Sequence, residues 1–334
     1  MISPRLSVCI PTYNFGRFIG ETLEALRAQA VPGVEVVVLD SGSTDDTAAV
    51  VAGVAARFPA LRYHRTERPC GIDRDLAATV ALARGDHCWL LSSDDVPAPG
   101  ALAAVLAALH DDPEVLLLDR IECDVALRPL RSAPWLGPGL VGGDFRLGDP
   151  ADLARYLGLA RSIGALFSYM SSLVVRRTAW EAHPAPDHLV GTHYAHVARL
   201  FLALRTGRLR YLAGPQVLCR GENDSFARGG VVKRFRIDLD GYLQLCEALF
   251  PAPGDRTAFL AVMRREHPWW IYLEVRSRAG SAEAWQALRL LLLAFGYAPW
   301  QVAVISAVGA APPVMALARA AWFGARRLRR LLRP

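Results

Sequence analysis

Apolar runs that stop at polar residues, with helical spacing between them, are the feature that most limits how this chain can fold. The runs Leu6–Ile10 and Val34–Leu39 have the length and the β-branched content of buried parallel strands. Phe18–Gln29, which joins them, carries apolar residues at helical spacing. The first forty residues therefore predict a strand, a helix and a second, parallel strand.

The same alternation continues along the chain. The pattern predicts a helix over Asp45–Phe58, a weaker strand over Leu61–His64, a helix over Arg74–Ala83 and a strand over Cys88–Leu91. Strands that alternate with helices indicate an α/β fold with a doubly wound sheet. Further on we expect a long excursion over Pro129–Pro150. Two more strands are predicted over Ser171–Val175 and Leu209–Leu218, with a helix over Thr192–Arg205 between them.

Polar residues stand at the end of each early strand. Thr12–Asn14 follow the first strand, Asp40–Ser43 the second and Ser92–Asp95 the strand near residue 90. Ligands of open α/β sheets bind beyond the carboxyl ends of the strands. The sequence therefore predicts a ligand site at this edge of the sheet.

The composition is that of a folded, globular chain, with 52% hydrophobic and 21% charged residues. Its six cysteines show no metal-binding spacing, which favours a reducing, cytoplasmic compartment. The amino terminus has no long apolar segment, so we expect no signal peptide. A net charge of +6 by itself suits nucleic acid, anionic lipid and phosphate-bearing substrates equally.

Three segments together resemble one enzyme family: LSVCIPTYNFGRFI (Leu6–Ile19), VEVVVLDSGSTDDT (Val34–Thr47) and the pair Asp94-Asp95. The combination resembles the inverting family 2 glycosyltransferases, over roughly residues 6–214. The resemblance implies a GT-A fold, which is a doubly wound, Rossmann-like mixed sheet. It also implies a nucleoside-diphosphate sugar donor lying across the strand ends.

The resemblance places Pro11, Thr12 and Tyr13 beside the base and ribose of the donor, and Asp40 in contact with the base. A carboxylate at a strand end can accept a hydrogen bond from a base N–H, and the Ser-Gly-Ser turn after Asp40 leaves room for a ligand. A turn carboxylate remains the alternative for Asp40, and a packing aromatic the alternative for Tyr13.

Asp94 and Asp95 close an apolar strand, where neighbouring carboxylates repel unless a cation lies between them. A divalent ion, Mn²⁺ or Mg²⁺, bridging them to a diphosphate would relieve this repulsion and stabilise the leaving nucleotide. The family pattern is Asp-x-Asp-Asp, but this chain has Ser92 first. We therefore expect ribose contact from Ser92 or Asp94 and direct metal ligation by Asp95, with an acidic helix cap as the alternative.

The segment GIDRDL (Gly71–Leu76) occupies the place where these enzymes contact the donor ahead of the metal motif. Together with CWLLSSDD, GTHYAHV and RGENDSF, it is similar to the abequosyltransferase-like branch, which handles deoxysugars in bacterial surface-polysaccharide assembly. Asp73 is the donor-side candidate, and Arg74 could meet phosphate or pair with Asp75. Ordinary helix-start chemistry is the alternative for both.

The catalytic base is where the chain departs from the family pattern. Most members place Glu-Asp about a hundred residues after the metal motif, where this chain has Thr192-His193. A histidine can act as general base near neutral pH, so His193 is the first candidate to deprotonate the acceptor hydroxyl. His196, Asp187 and a substrate-assisted route are the alternatives, and both inverting and retaining outcomes stay open.

A Gly-containing loop, CRGENDSF (Cys219–Phe226), follows a predicted strand. Arg220 and Asn223 are its preferred donor-binding pair, through closure over the diphosphate or contact with the acceptor. An ordinary solvated loop is the alternative. Tryptophans such as Trp135, Trp269 and Trp270 could stack on sugar, but core or interface roles are the default.

The region from residue 229 to 334 is predicted to be helical and separate from a catalytic domain over 1–228. No charge falls between Arg289 and Arg319, a span long enough to cross a bilayer, but Pro299 and the pair Pro312-Pro313 divide it. The end, Val314–Arg333, mixes apolar residues with arginine as membrane-surface helices do. A helix packed on the domain or on a partner protein is the alternative.

These features predict a metal-dependent hexosyl or deoxyhexosyl transferase on the cytoplasmic face of the inner membrane. Its expected partners are a nucleoside-diphosphate sugar, a lipid-linked saccharide acceptor and the membrane surface, with no nucleic acid. A nucleotidyltransferase is one alternative, although Leu6–Gly20 lacks the Gly-rich triphosphate loop of that class. A non-catalytic nucleotide-sugar-binding membrane scaffold is the other.

Overall fold

A computed structural model describes residues 4–137, 139–223, 229–311 and 315. The chain forms two compact units, one from residues 1–223 with 248–251 and the other from 224–247 with 252–334. Residues 224–228, next to the expected domain boundary, lie outside the described ranges.

A ten-stranded mixed sheet forms the centre of the first unit. Its strands in chain order are β1 (Leu6–Thr12), β2 (Val34–Asp40), β3 (Leu61–Arg65), β4 (His87–Leu90), β5 (Val96–Pro97), β6 (Val115–Cys123), β7 (Pro129–Ala133), β8 (Gly143–Phe145), β9 (Leu173–Arg176) and β10 (Leu209–Arg220). The main path through the sheet is β3-β2-β1-β4-β9-β6-β10-β5, with β7 beside β6 and β8 beside β10. The predicted α/β fold with a doubly wound mixed sheet is confirmed.

Seven α-helices belong to the described part of this unit's first 223 residues: α1 (Gly16–Ala28), α2 (Thr47–Ala55), α3 (Ile72–Ala81), α4 (Ala101–Ala108), α5 (Pro150–Leu159), α6 (Arg177–Ala182) and α7 (Ala195–Ala203). Strands β3, β2, β1 and β4 run parallel, so their carboxyl ends share one edge. Helix α3 follows β3 and starts at that edge.

Burial explains why the first two strands could be predicted from the sequence. Every residue of β1 is buried, and so is every residue of β2 after Val34. Val8 pairs with Val36, and Ile10 pairs with Val38. Strands that are covered on both faces read as continuous apolar runs, which is the pattern of these two segments.

The sequence pattern did not predict β6, although it lies inside the sheet between β9 and β10. Its apolar half resembles its neighbours, but Asp119 and the charged residues after it interrupt the run. The long excursion expected over Pro129–Pro150 contributes two short strands to the sheet, β7 and β8, which were not predicted. The strand expected from Ser171 begins at Leu173, after a 3₁₀ turn at Met170–Ser172.

The second unit is helical in its described part, as predicted. Its helices are α8 (Val231–Leu249), which ends in the first unit, α9 (Pro253–Glu266), α10 (Ile271–Ser277), α11 (Ala282–Ala294) and α12 (Pro299–Val308). None of the helices in the described ranges combines the length and the hydropathy that a bilayer crossing requires. The segment Val314–Arg333, expected to be a membrane-surface helix, lies outside the described residues except for Met315.

Candidate active site

The turn at residues 92–95 follows β4 at the carboxyl edge of the parallel strands. Helix α1 holds this turn, because the Thr22 hydroxyl lies 3.1 Å from the Ser93 carbonyl and 2.9 Å from the Asp95 carbonyl. The amide of Ser92 donates to the Ser171 hydroxyl at 3.0 Å. The backbone that carries the two carboxylates is therefore fixed from both sides.

Asp95 is buried, and both of its carboxylate oxygens accept hydrogen bonds from the protein. The donors are the Tyr169 hydroxyl at 2.6 Å, the Ser171 hydroxyl at 2.6 Å and the Arg220 amide at 3.0 Å. Burial, and after it the negative charge of Asp94, raises the pKa of Asp95 to about 7. These three bonds use most of the acceptor positions of the carboxylate, and direct metal ligation by Asp95 stays a prediction.

Asp94 has different surroundings. Its carboxylate is half-buried and accepts hydrogen bonds from two neutral side chains, Ser92 and Asn223. These contacts bring together three residues that were predicted to bind the donor. Asp94 is less buried than Asp95 and has fewer protein donors among the described contacts, so it is the more accessible carboxylate of the pair.

Arg220 was expected to meet the diphosphate, but the structure uses its guanidinium internally. The buried side chain donates to the Asp94 carbonyl at 2.9 Å, the Val125 carbonyl at 2.6 Å and the Glu21 carboxylate at 2.6 Å. It also lies over the Phe18 ring. The structure thus gives Arg220 the role of fixing the turn, because every nitrogen of its guanidinium already has a protein acceptor.

Two buried hydroxyls lie where β1 and β2 end. Pro11 and Thr12 are inside β1, and the Ser41 amide donates to the Thr12 carbonyl at 2.9 Å. The hydroxyl oxygens of Thr12 and Ser41 have no hydrogen-bond partner among the described residues. Buried polar atoms are normally paired, so these two indicate a position for a polar ligand or bound water. Tyr13, the next residue, is 43% exposed.

Asp40 is fully buried at the end of β2. It accepts hydrogen bonds from the Ser43 amide at 2.8 Å and the Tyr63 hydroxyl at 2.6 Å. Burial, followed by the bond to Asp40, raises the pKa of Tyr63, so the phenol stays a donor. The base of a nucleotide could contact the Asp40 carboxylate only if Ser43 or Tyr63 moved.

The glycine of the Ser-Gly-Ser turn does not open space for a ligand. Gly42 has a φ of +77°, and a Cβ there would lie 2.7 Å from the Glu67 carbonyl. The turn needs glycine because the backbone is left-handed and another chain segment touches it. The expectation of free space at this turn was wrong.

Asp73 binds the loop that precedes α7. One carboxylate oxygen accepts from the amides of Gly191 at 2.8 Å and His193 at 3.0 Å, and the other accepts from Ala195 at 3.2 Å. The structure therefore shows Asp73 as an anchor for this loop instead of a free donor-side group. Because α3 starts at the carboxyl edge of the sheet, the anchor holds the His193 loop at that edge.

The two histidine candidates differ in accessibility. His193 is half-buried and has a φ of 73°. His196 is buried, its Nε2 lies 2.9 Å from the Phe167 carbonyl, and burial lowers its pKa. A ring that is already bonded to a main-chain carbonyl suits a structural role, so the geometry favours His193 over His196 as a base.

A cavity of about 320 Å³ opens beside the anchored loop. Its charged lining residues are Asp73, Arg74, Asp187 and Arg199. Arg199 also lies over the Trp180 ring and donates to the Trp180 carbonyl at 2.9 Å. Mixed guanidinium and carboxylate groups can bind the hydroxyls of a saccharide.

Several residues of the site were not predicted. Tyr169 and Ser171 bind Asp95, and Thr22 fixes the turn. The amides of Thr44 and Asp45 donate to Asn14 and join the loops after β1 and β2. Tyr169, Ser171 and Thr22 stand in no local motif, so spacing alone carried no signal for them. Asn14, Thr44 and Asp45 lie inside the segments that carry the family resemblance, but their contact with one another was not predicted. Trp135 is buried and donates to Ser172 and Leu118, which agrees with the default core role.

Comparison with known proteins identifies the family. A sequence profile for "Glycosyl transferase family 2" matches residues 7–151. The abequosyltransferase RfbV of Salmonella typhimurium is 35% identical over 275 residues, which cover 79% of this chain and 81% of that protein. The chain belongs to the family 2 glycosyltransferases. It falls in their abequosyltransferase-like branch.

Solved structures agree on the fold. The S. aureus TarS fragment 1–349 superposes with a TM-score of 0.62 at 17% identity, covering 90% of this chain and 83% of that one. The mannosyltransferase PcManGT of Pyrobaculum calidifontis, solved with GDP-Man and Mn²⁺, gives a TM-score of 0.54 at 20% identity over 95% of this chain and 87% of that one. The GT-A fold is therefore shown.

Proposed function

We propose that this glycosyltransferase transfers a sugar, and specifically a deoxysugar, from a nucleoside-diphosphate donor to a hydroxyl of a lipid-linked saccharide in bacterial surface-polysaccharide assembly. The observation that carries the proposal is the cluster of Ser92, Asp94 and Asn223 at the carboxyl edge of the sheet. The similarity to an abequosyltransferase supports the deoxysugar.

Asp94 and Ser92 fit a divalent cation that arrives with its nucleotide. They offer hard oxygen atoms, which Mg²⁺ and Mn²⁺ prefer, but the described residues contain no group of three or more acidic, histidine or cysteine ligands. Mg²⁺ is commonly held by one or two carboxylates plus substrate phosphates. A bound cation would neutralise charge on the departing diphosphate.

The donor side of the site rests on the strand ends. The unpaired hydroxyls of Thr12 and Ser41 would hold polar atoms of the nucleotide, and the exposed Tyr13 ring lies next to them in sequence. Structural neighbours have been solved with UDP and with UDP-GlcNAc, which supports nucleotide-sugar binding as a class.

The acceptor side rests on the loop that Asp73 anchors. His193 would take the proton of the attacking hydroxyl, and the cavity with Arg74, Asp187 and Arg199 would receive the acceptor saccharide. Asp187 is exposed at this cavity and is the second candidate for the base. The apolar and Arg-rich end of the chain supports an acceptor carried on lipid and a place at the cytoplasmic face of the inner membrane.

A ligand panel tests the donor site. Thermal unfolding would be followed with UDP-, GDP-, CDP- and dTDP-sugars, each with and without Mn²⁺, on the wild type and on Asp94→Asn. We expect one nucleotide class to raise the melting temperature, Mn²⁺ to strengthen that effect, and Mn²⁺ alone to do little. Asp94→Asn should remove the metal-dependent part of the shift, because the isosteric amide is a poor ligand for a hard cation.

Asp111→Asn is the matched control, since Asp111 is an exposed carboxylate bound to Arg208 and Arg210 away from the turn. A folded wild type that responds to no donor would contradict the transferase assignment of this site. A donor response without transfer to any lipid-linked acceptor would instead support a non-catalytic scaffold.

A further inference from the structure

Three tryptophans of the second unit form an exposed cluster, which we name the tryptophan face: Trp269, Trp270 and Trp300. The Trp269 ring lies 6.2 Å from that of Trp270 and 5.7 Å from that of Trp300, both edge to face. Trp270 is 54% exposed and Trp300 61%. Leaving two indoles in water is unfavourable, so such a cluster indicates a surface that binds something.

Helix starts hold the face in place. Trp270 immediately precedes α10, Trp300 is the second residue of α12, and the Trp269–Trp300 contact joins the two ends. Trp285 in the same unit is buried and donates to the Ser306 hydroxyl at 3.2 Å. Trp285 therefore fills the core position for a tryptophan in this unit, whereas the exposed rings of the tryptophan face lie outside that core.

The charge of the surrounding sequence indicates the kind of partner. Residues 229–334 contain 15 Arg or Lys and 7 Asp or Glu, whereas residues 1–228 contain 23 and 25. No acidic residue follows Glu283, and the 51 residues after it include seven arginines. Trp300 thus belongs to a stretch that is apolar and purely cationic, which complements an anionic lipid surface.

We propose that the tryptophan face inserts into the headgroup layer of an anionic bilayer. Indole rings favour that layer because one edge is apolar and the N–H remains in a polar setting. The arginines of the same region add attraction to anionic headgroups. The proposed function, with its acceptor held at the membrane, gives this inference its biological reason. The evidence for the inference is independent of that function.

Vesicle binding by the full chain tests the inference. The probes are vesicles of phosphatidylglycerol with phosphatidylethanolamine, and vesicles of phosphatidylcholine alone. The variant is Trp270→Ser with Trp300→Ser, and the control is Leu130→Ser with Val141→Ser, which removes two side chains that are 68% and 92% exposed in the first unit. Thermal unfolding with and without donor shows that each protein is folded and that its donor site works.

We expect the wild type and the control to bind the anionic vesicles and the tryptophan variant to bind them at least about tenfold more weakly. Brominated lipid should quench a larger fraction of the indole fluorescence in the wild type than in the tryptophan variant. Equal vesicle binding by variant and wild type would overturn the inference. So would a wild-type dimer, seen by light scattering, that the variant converts to monomer with no change in vesicle binding. Loss of the donor response with vesicle binding intact would count against the proposed function alone.

Discussion

His193 and His196 lie three positions apart but have different surroundings. His196 is buried against the Phe167 carbonyl, whereas His193 is half-buried on the loop that Asp73 holds. We expect His193→Ala to lower kcat by about 10²-fold or more, the usual contribution of a general base, and His196→Gln to change it only a few-fold. Initial rates with saturating donor and acceptor check this. A kcat for His193→Ala near that of the wild type would move the assignment to Asp187.

Burial of His196 also predicts a pH dependence of stability. Because burial lowers its folded pKa below the unfolded value of about 6.5, the unfolded chain binds the proton more readily. The contribution of this residue is therefore present above pH 6.5 and is lost as the pH falls through the folded pKa. Urea unfolding from pH 8 to 5 should show a steeper loss for the wild type than for His196→Gln. Parallel profiles would contradict this.

At the scale of elements, one carboxylate joins α3 to the loop before α7. Asp73→Asn would leave a single acceptor oxygen for three backbone amides, which we expect to cost about 1–3 kcal/mol and to lower kcat because the His193 loop is held less firmly. Donor binding should change little. Asp75→Asn is the matched control, since that carboxylate accepts only from the Cys70 amide at 3.2 Å among the contacts described for it. Equal kcat values for the two variants would argue against the anchor.

The elements also show what sequence could and could not predict. β1 and β2 were predictable because strands buried on both faces leave continuous apolar runs. β6 was not, because Asp119 lies in the middle of it, bonded to the Tyr211 hydroxyl at 2.6 Å and the Trp135 amide at 3.0 Å. In the sequence Asp119 looks like the end of a strand. In the structure its carboxylate is hydrogen-bonded inside the fold, which only the three-dimensional structure shows.

The candidate site shows the same division. The Asp94-Asp95 pair was found from its position after a strand, but sequence could not show that Asp95 is the more deeply buried and more heavily bonded of the two. What distinguishes them are donors from Tyr169, Ser171 and Arg220, which are distant in the chain. Roles that depend on which oxygen is already bonded require the tertiary structure.

At the scale of the whole molecule, positive charge is concentrated in residues 229–334. Attraction between this region and anionic lipid should weaken as salt rises, because the Debye length falls from about 10 Å at 0.1 M to about 3 Å at 1 M. We expect vesicle binding to decrease strongly over that range and to decrease at low salt when Arg326, Arg327, Arg329 and Arg330 are changed to Gln. Sedimentation with anionic vesicles measures both effects. Vesicle binding that does not change with salt concentration would show that apolar insertion alone holds the protein on the vesicles.

The bonds to Asp95 also set an order of events during synthesis. Strands β1 to β4 leave the ribosome first, but the amide of Arg220 that completes the Asp95 cluster is 125 residues further along the chain. At 5–20 residues per second, that interval is about 6 to 25 seconds. During this time Asp95 lacks the last of its hydrogen-bond donors, so the Asp95 cluster of the candidate site can be complete only after β10 has emerged.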